Sequence, residues 1–413
     1  MRWRRSLKTI GLAVGAFLLL GFSVVCAKPA RHAPRRHTAP RKIVPRRPKP
    51  AAAPAADRRI ERTLWVDGRL TDLSSPAVGA EILGQPIDRL IVSCFVGGET
   101  LFETHSQVFQ QIPRYVGKGD ALAAILAAAH RKGIKVYAYV NCLHWTLPDT
   151  PAAEDLLQRR PDFGEINLSG NCGLPADGKY ASIFNPAVAI SLSAMLKELV
   201  SRYPALDGVL LECRYRLGSI LGYSDRARVA YINTAHIDPA DLTFGAQSTT
   251  SLTVAWINWR LSQMSRFAAG LIGELKRERP STPIAVIAGA DWDRMSIGRR
   301  NTTLEAWPDW TRMGLVNEAV LTCPWEEPEN TDLFGADISY AGSLGRPVKL
   351  SILLPLRQGQ NELDPLAALE TQQGQGVRSI VLKTADLTEI NRAAGFWSDV
   401  LPKIAAILEE SRQ

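Results

Sequence analysis

From about residue 60 onward, the sequence alternates short apolar runs with longer amphipathic stretches. Strands that alternate with helix-length segments are typical of a parallel sheet covered by helices. Eight such apolar runs occur, and eight strand–helix units fit a closed barrel better than an open sheet. We therefore predict an α/β fold, a single (β/α)8 TIM barrel over residues 60–413, with long loops after the third and fourth strands.

The predicted elements follow from this alternation. The strands are Thr63–Asp67, Arg89–Phe95, Ile134–Val140, Gly208–Glu212, Pro283–Ala288, Glu318–Cys323, Pro347–Leu353 and Ser379–Leu382. The predicted helices are Ala121–Lys132, Ala187–Tyr203, Ser251–Arg279 and Asn391–Glu410. No GxGxxG follows the first strand, which weakens a dinucleotide-binding fold. GxxxxGK[ST] and GxSxG are also absent from the sequence.

The net charge of +8 is unevenly distributed. Residues 1–59 contain 15 lysines and arginines and one aspartate, about +14, so the remaining residues carry about −6. A mildly acidic domain is a poor surface for phosphates, and we expect no nucleic-acid partner.

The N-terminal segment resembles an export signal. Arg2, Arg4, Arg5 and Lys8 precede an uncharged apolar run, and a small-residue cleavage site falls after Ala27. We predict a signal peptide over residues 1–27 and a periplasmic, cell-envelope or secreted location. The alternative is an uncleaved membrane anchor, although the run of about 16 residues is shorter than the ~20 needed to span a bilayer.

Residues 28–59 are rich in proline, alanine and basic side chains. Such a composition cannot bury a core, so we predict a disordered spacer. Its charge could hold the protein near anionic envelope polymers, or it could be a solvated linker only.

Five cysteines remain after the predicted signal peptide: Cys94, Cys142, Cys172, Cys213 and Cys323. Export permits disulfides, and an odd number leaves at least one thiol free. Cys142 and Cys172 fall in the same predicted loop and are the pair that we favour. No CxxC motif or Cys/His spacing indicates a zinc site, and no cofactor is predicted.

Chemistry in a barrel of this type collects at the carboxyl ends of the strands. The side chains that follow the eight predicted strands include many carboxylates and tryptophans. They are Asp67; Glu99, Glu103 and His105; Asn141, His144 and Trp145; Glu212, Arg214 and Tyr215; Asp291, Trp292 and Asp293; Trp325, Glu326 and Glu327; Arg357; and Lys383 and Asp386.

Glycoside hydrolysis requires two carboxyl groups that flank the scissile bond, and indole rings can stack on sugar rings. We predict Glu212 as one catalytic carboxylate, because it ends the apolar run VLLE. Its partner would be Asp291, Asp293, Glu326 or Glu327. The predicted substrate-binding residues are Asp67, Asn141, His144, Trp145, Asn185, Arg214, Tyr215, Trp292 and Trp325. For each of these residues an ordinary structural role is the competing interpretation.

Several blocks of the sequence resemble the glycosyl-hydrolase-like family 10 proteins, which are bacterial envelope or secreted (β/α)8 barrels. The segments are LAAILAAAHRKGIKVYAYVNCLHW, FNPAVAISLSAMLKELVSRYPALDGVLLECRY, WINWRLSQMSRFAAGLIGELKRERPSTPIAVIAGADW and DWTRMGLVNEAVLTCPW. The resemblance covers most of residues 60–385 and is strongest from Asp207 to Tyr215. One departure falls on the fourth strand, which ends in Glu212 where the family usually has aspartate.

The resemblance implies a glycosidase acting on a bacterial polysaccharide, such as peptidoglycan glycan strands or exopolysaccharide. Two other functions stay open: a catalytically inactive barrel that binds envelope glycan, and a lyase or deacetylase acting on the same polymers. A second carboxylate close to Glu212 would favour the enzyme. A Glu212 held in a salt bridge with no second acid nearby would favour the binding protein.

Overall fold

The computed structural model describes residues 59–216, 218, 220–242, 251–289, 303–322, 348–355, 377–384 and 386–410. Its centre is a closed barrel of eight parallel strands, in which β1 pairs with both β2 and β8. The strands are β1 (Glu61–Val66), β2 (Arg89–Val96), β3 (Lys135–Asn141), β4 (Gly208–Glu212), β5 (Ile284–Gly289), β6 (Glu318–Thr322), β7 (Lys349–Pro355) and β8 (Val377–Thr384).

Helices follow the strands and cover the outside of the barrel. They are α1 (Pro76–Gly84), α2 (Ala121–Arg131), α3 (Pro186–Arg202), α4 (Asp225–Ala235), α5 (Ser251–Glu278), α6 (Trp307–Arg312), α7 (Leu387–Gly395) and α8 (Leu401–Glu410). Local sequence sets where several of them begin: Asp120 and Asn185 each accept a hydrogen bond from the first turn of α2 and α3. Although α5 has 28 residues, no helix among the described residues is long and apolar enough to cross a membrane.

Two apolar layers result from the alternation of side chains along each strand. One layer fills the barrel interior and includes Trp65, Tyr137, Tyr139 and Leu210. The larger layer lies between the strands and the helices and includes Val209 and Leu211 of β4. Because Leu210 faces inward, Glu212 at the end of β4 also faces inward, at the carboxyl end of the barrel.

The opposite end of the barrel is closed by a buried ion pair. Both terminal nitrogens of Arg89 donate to the carboxylate of Glu318, at 2.6 and 2.7 Å. Arg89 also contacts Glu61 at 2.9 Å, and the two side chains of the central pair are almost completely buried. Such bidentate pairs are strong, and this one fixes the amino ends of β2 and β6 relative to each other.

The predicted barrel is confirmed, and each predicted strand overlaps an observed one. The predicted C-terminal helix is instead divided, because a π-helical turn over Phe396–Val400 separates α7 from α8. The two predicted loops contain structure of their own. The first holds a short hairpin, His144–Thr146 with Lys179–Tyr180, and a helical turn at Leu156–Arg159; the second holds α4. The predicted signal peptide and spacer lie outside the described residues.

Candidate active site

The carboxyl ends of β3 and β4 bring three polar side chains together inside the barrel. In the parallel register, Asn141 lies beside Glu212, and Tyr139 precedes Asn141 by two residues and therefore faces the same side. The Tyr139 hydroxyl donates to Glu212 Oε2, and Asn141 Nδ2 donates to the same oxygen at 3.4 Å. Glu212 is thus held at a fixed position, with 4% of its surface exposed.

The second oxygen of Glu212 is paired with Arg214. Arg214 Nε donates to Glu212 Oε1 at 2.8 Å. Burial alone would raise the pKa of Glu212, but the positive charges of Arg214 and Arg216 and the Tyr139 hydroxyl lower it to about 2. Glu212 is therefore ionised across the physiological pH range.

A second buried carboxylate, Glu305, lies close to this pair. Arg214 Nη1 is 3.7 Å from Glu305 Oε2, so one guanidinium contacts both acids. The distance between the nearest oxygens of Glu212 and Glu305 therefore cannot exceed the sum of the 2.8 Å and 3.7 Å contacts to Arg214 and the width of its guanidinium. That limit is compatible with the roughly 5–9.5 Å that separates the acids of glycoside hydrolases.

Backbone geometry holds Glu305 in the barrel. Its Oε1 accepts a hydrogen bond from the Gly289 amide, at the end of β5, at 2.5 Å. A Cβ atom on residue 289 would lie 2.0 Å from the same oxygen, so the close approach requires glycine. The preceding residue, Leu304, has a φ of 49°, a left-handed conformation that is uncommon for a branched side chain. Strain of this kind concentrates at functional sites.

The environment of Glu305 raises its pKa to about 6. Burial is the largest cause and the charge of Glu212 adds to it, while Arg214 and the Gly289 amide oppose the rise. The site thus contains one carboxylate that stays ionised and one that holds a proton up to about pH 6. Two acids whose pKa values are driven apart are typical of a general acid and its ionised partner.

Glu305 was not predicted from the sequence. It follows no apolar run and stands 16 residues beyond Gly289, so the rule of strand-end residues does not select it. The segment LEAW, a lone carboxylate between buried apolar residues, was the available signal. Leu304, Ala306 and Trp307 are all buried, and an acid embedded among them needs a partner or a function.

Asp67 and Lys383 stand at the neighbouring ends of β1 and β8. Lys383 Nζ lies over the ring of Trp65, 4.4 Å from its centroid. Burial lowers the pKa of Lys383, and the charges of Glu212 and Asp67 oppose that change. Asp67 also caps the following turn, since its Oδ1 accepts from the Arg69 amide at 2.9 Å. Both side chains therefore border the mouth of the barrel.

His144 lies beside the site but is uncharged near neutral pH. Its ring stacks on Tyr180, with centroids 4.7 Å apart, and burial together with the charge of Arg216 lowers its pKa to about 4. Its amide donates to Asn141 Oδ1 at 3.1 Å and so helps to orient that side chain.

Three residues predicted to bind substrate make contacts within the protein. Trp145 is completely buried between Phe109 and Phe163, so no face of its indole is open to a sugar ring. Asn185 caps α3 and donates to the Asp162 carbonyl. The Tyr215 hydroxyl is buried, accepts from the Ile183 amide and donates to the Ala181 carbonyl, which ties the two long loops together.

The remaining predicted site residues lie outside the described residues. They are Asp291, Trp292, Asp293, Trp325, Glu326 and Glu327. Arg357, which follows the seventh predicted strand, also lies outside them. Within the described ranges, no group of three or more His, Cys, Asp or Glu side chains is arranged to hold a metal ion.

A cavity of about 660 Å³ lies in the first long loop, outside the carboxylate pair. It is bordered by Thr146, Lys179 and Asp155, and neither Glu212 nor Glu305 lines it. Lys179 and Asp155 form an ion pair within this lining. Because neither Glu212 nor Glu305 lines this cavity, we assign the candidate active site to the barrel mouth.

Comparison with known proteins agrees with the fold. The glycosyl hydrolase-like 10 family matches residues 85–357, a range that contains β2 to β7, Glu212 and Glu305. No curated protein sequence matches the chain. The solved structure of the glycoside hydrolase domain of PgaB (BpsB) from Bordetella bronchiseptica is similar, with a TM-score of 0.60, 15% identity, and coverage of 83% of this chain and 99% of that one.

Two further solved structures have the same fold. The catalytic domain of a β-amylase from Paenibacillus polymyxa has a TM-score of 0.57 at 10% identity, over 83% of this chain and 99% of that chain. A β-galactosidase from Rahnella sp. R3 has a TM-score of 0.59 at 13% identity, over 86% of this chain and 57% of that chain. At these identities the similarity establishes the (β/α)8-barrel fold and no specific activity.

Proposed function

The chain belongs to the glycosyl hydrolase-like 10 family, and from that premise we propose that it is an exported glycoside hydrolase acting on a bacterial polysaccharide. Peptidoglycan glycan strands and exopolysaccharide are the substrates that we favour. One observation carries the proposal: two buried glutamates of opposite pKa displacement, Glu212 and Glu305, share Arg214 at the carboxyl end of the barrel.

In the proposed reaction, Glu305 gives its proton to the glycosidic oxygen while the bond from that oxygen to the anomeric carbon breaks. The ionised Glu212 stabilises the positive charge that develops on the sugar. Water supplies the hydroxyl group that ends on the anomeric carbon, and its remaining proton restores Glu305. General acid catalysis of this type contributes roughly 10²–10⁴ in rate.

Arg214 has a positioning role in this scheme. It lies between the two acids, contacts Glu212 at 2.8 Å and is also within 3.4 Å of Thr322 Oγ1 on β6. Its charge keeps Glu212 ionised and limits the rise in the pKa of Glu305. Loss of Arg214 should therefore change the pH profile as well as the rate.

The export half of the proposal rests on the N-terminal sequence. The basic residues, the apolar run and the small residues near Ala27 support a signal peptide, and the basic spacer supports contact with anionic envelope polymers. Fractionation of a bacterium expressing the full-length chain, followed by N-terminal sequencing, tests this half: protein found in the cytosol with Met1 retained would contradict it.

A glycan-binding barrel without activity is the second candidate. The burial of both acids and the short Arg214–Glu212 contact favour it, because a paired carboxylate can serve stability alone. The presence of Glu305 favours the enzyme, since a second acid close to Glu212 is what a hydrolase requires.

The deciding experiment incubates the full-length protein with a panel of bacterial glycans, including peptidoglycan strands without peptides, and measures new reducing ends. Glu212→Gln and Glu305→Gln are compared with the wild type. Glu165→Gln is the matched control, because Glu165 is equally buried but is paired with Ser182 and Ser224.

We expect reducing ends from the wild type and from Glu165→Gln, and a loss of roughly 10²–10⁴ in kcat in each of the other two variants. Retention of the protein on one polymer with no release by any variant would favour the binding barrel. Undiminished release by Glu212→Gln or Glu305→Gln would refute the assignment of that residue.

A further inference from the structure

Two cysteines lie side by side immediately behind the candidate active site. Cys142 follows Asn141, the last residue of β3, and Cys213 follows Glu212, the last residue of β4. The two chain ends are still paired at this point, since the Cys142 amide donates to the Glu212 carbonyl at 3.0 Å. Their Sγ atoms are 3.2 Å apart, and both side chains are buried.

We propose that Cys142 and Cys213 form a disulfide bond when the protein folds in an oxidising compartment. The inference rests on the proposed export and is independent of the proposed hydrolase activity. It replaces the Cys142–Cys172 pair favoured from the sequence: the Cys172 thiol donates instead to the Tyr180 carbonyl, at 3.5 Å.

The geometry requires little rearrangement. Neighbouring paired strands lie about 4.8 Å apart, which is within the roughly 4.4–6.8 Å between Cα atoms that a disulfide spans. Bond formation would shorten the observed contact by about 1 Å, to the usual sulfur–sulfur length of about 2.05 Å. No other pair among the described cysteines, which also include Cys94, has an Sγ–Sγ contact.

The bond would form by two successive thiol–disulfide exchanges with a disulfide oxidant. One thiolate attacks the oxidant and releases a thiol from it, giving a mixed disulfide. The second thiolate then attacks that intermediate, which joins the two sulfurs and releases the second thiol. The two cysteines lose two protons and two electrons, and the oxidant becomes two thiols.

The thiol–disulfide exchange would take place during folding and not in the folded protein. The neighbouring Cys213 thiol and burial hold the pKa of the Cys142 thiol well above its usual range, so Cys142 offers little reactive thiolate in the folded protein. The two side chains belong to the apolar layer between strands and helices, on the opposite face of the strands from the Glu212 carboxylate. The bond would therefore fix the ends of β3 and β4 without entering the site.

To test this, the full-length chain is unfolded, reduced, and refolded in a buffer of oxidised and reduced glutathione. Free thiols are then alkylated, the protein is digested, and the peptides are mapped by mass spectrometry. We expect the peptides containing Cys142 and Cys213 to be joined, with the loss of two hydrogens, while Cys94 and Cys172 are alkylated.

Cys172→Ser is the matched control and should keep the linkage, whereas Cys213→Ser should leave Cys142 alkylated. A reductant should lower the melting temperature of the wild type and of Cys172→Ser and leave that of Cys213→Ser unchanged. Alkylation of both Cys142 and Cys213 in the refolded wild type, or a linkage of Cys142 to Cys172 or Cys323, would overturn the inference. If Cys213→Ser does not fold, the peptide map of the wild type decides alone. No readout uses a glycan, so failure here is distinct from failure of the proposed activity.

Discussion

Replacing Glu305 by glutamine should remove a pH dependence of stability that the wild type shows between about pH 4.5 and pH 6. The ordinary pKa of a glutamate is 4.5, and burial raises that of Glu305 to about 6. Below pH 4.5 the carboxyl is protonated in both the folded and the unfolded chain. As the pH rises, the unfolded chain releases this proton first, so the free energy of unfolding falls until the folded carboxyl is also ionised.

The size of the effect follows from the two pKa values. Each pH unit between them corresponds to about 1.4 kcal/mol, so Glu305 should cost the protein about 2 kcal/mol of stability by pH 7. Glu212 acts in the opposite sense. Its pKa is lowered to about 2, so it contributes about 3 kcal/mol above pH 4.5, which is lost as the pH falls toward 2.

Urea unfolding of the wild type and Glu305→Gln, measured at intervals from pH 4 to pH 8, checks the prediction. The free energy of unfolding of the wild type relative to the variant should fall by about 2 kcal/mol between pH 4 and pH 7. Glu103→Gln, a change at an exposed side chain, is the control and should follow the wild type. A difference that stays constant with pH, or one that grows as the pH rises, would refute the assignment of Glu305 as the protonated acid.

Three other substitutions test separate parts of the structure. Gly289→Ala should displace Glu305 by about 1 Å, because a Cβ would lie 2.0 Å from its Oε1, and should lower kcat roughly 10²-fold on an active glycan; an unchanged kcat would contradict the close approach. Tyr139→Phe removes a donor to the ionised carboxylate and should lower kcat/KM roughly tenfold or more, with the acid limb of the pH profile moved to higher pH; a limb that does not move would contradict it. Arg89→Met leaves Glu318 without its bidentate partner and should lower the free energy of unfolding, measured by urea titration, by roughly 3–5 kcal/mol. The folded variant should bind glycan polymers as the wild type does.

The barrel could be predicted because its signal is local. Each strand is an apolar run whose inward and outward side chains are both buried, so it stands out from the amphipathic segments around it. The prediction was least accurate where polar residues continue a strand. β8 extends from Val377 to Thr384, beyond the predicted Ser379–Leu382, because Arg378, Lys383 and Thr384 interrupt the apolar pattern while their backbones stay in the sheet. α1 was missed, since its glycines and alanines give a weak helical period.

The residues of the candidate site also differ in whether local sequence or long-range contacts determine their positions. Glu212 is recognisable from the sequence because the strand that carries it is apolar up to the carboxylate. Side chains alternate along the neighbouring strand β3, so Tyr139 and Asn141 both face Glu212. Glu305 is positioned by contacts that join distant parts of the chain. Gly289, at the end of β5, leaves room for its carboxylate, and Arg214, which follows β4, contacts both acids.

The same comparison explains how two glutamates in one site come to differ. Glu212 stands on a strand, where the neighbouring strand supplies Tyr139 and Asn141 as donors, so its charge is stabilised from several directions. Glu305 stands on a connection between a strand and a helix, with the Gly289 amide as its short donor and Arg214 at a longer distance. Positive charges and donors outweigh burial at Glu212 and lower its pKa, whereas burial outweighs them at Glu305 and raises its pKa. The surroundings of each acid, and not its residue type, are therefore the basis of the two roles that we propose for Glu305 and Glu212.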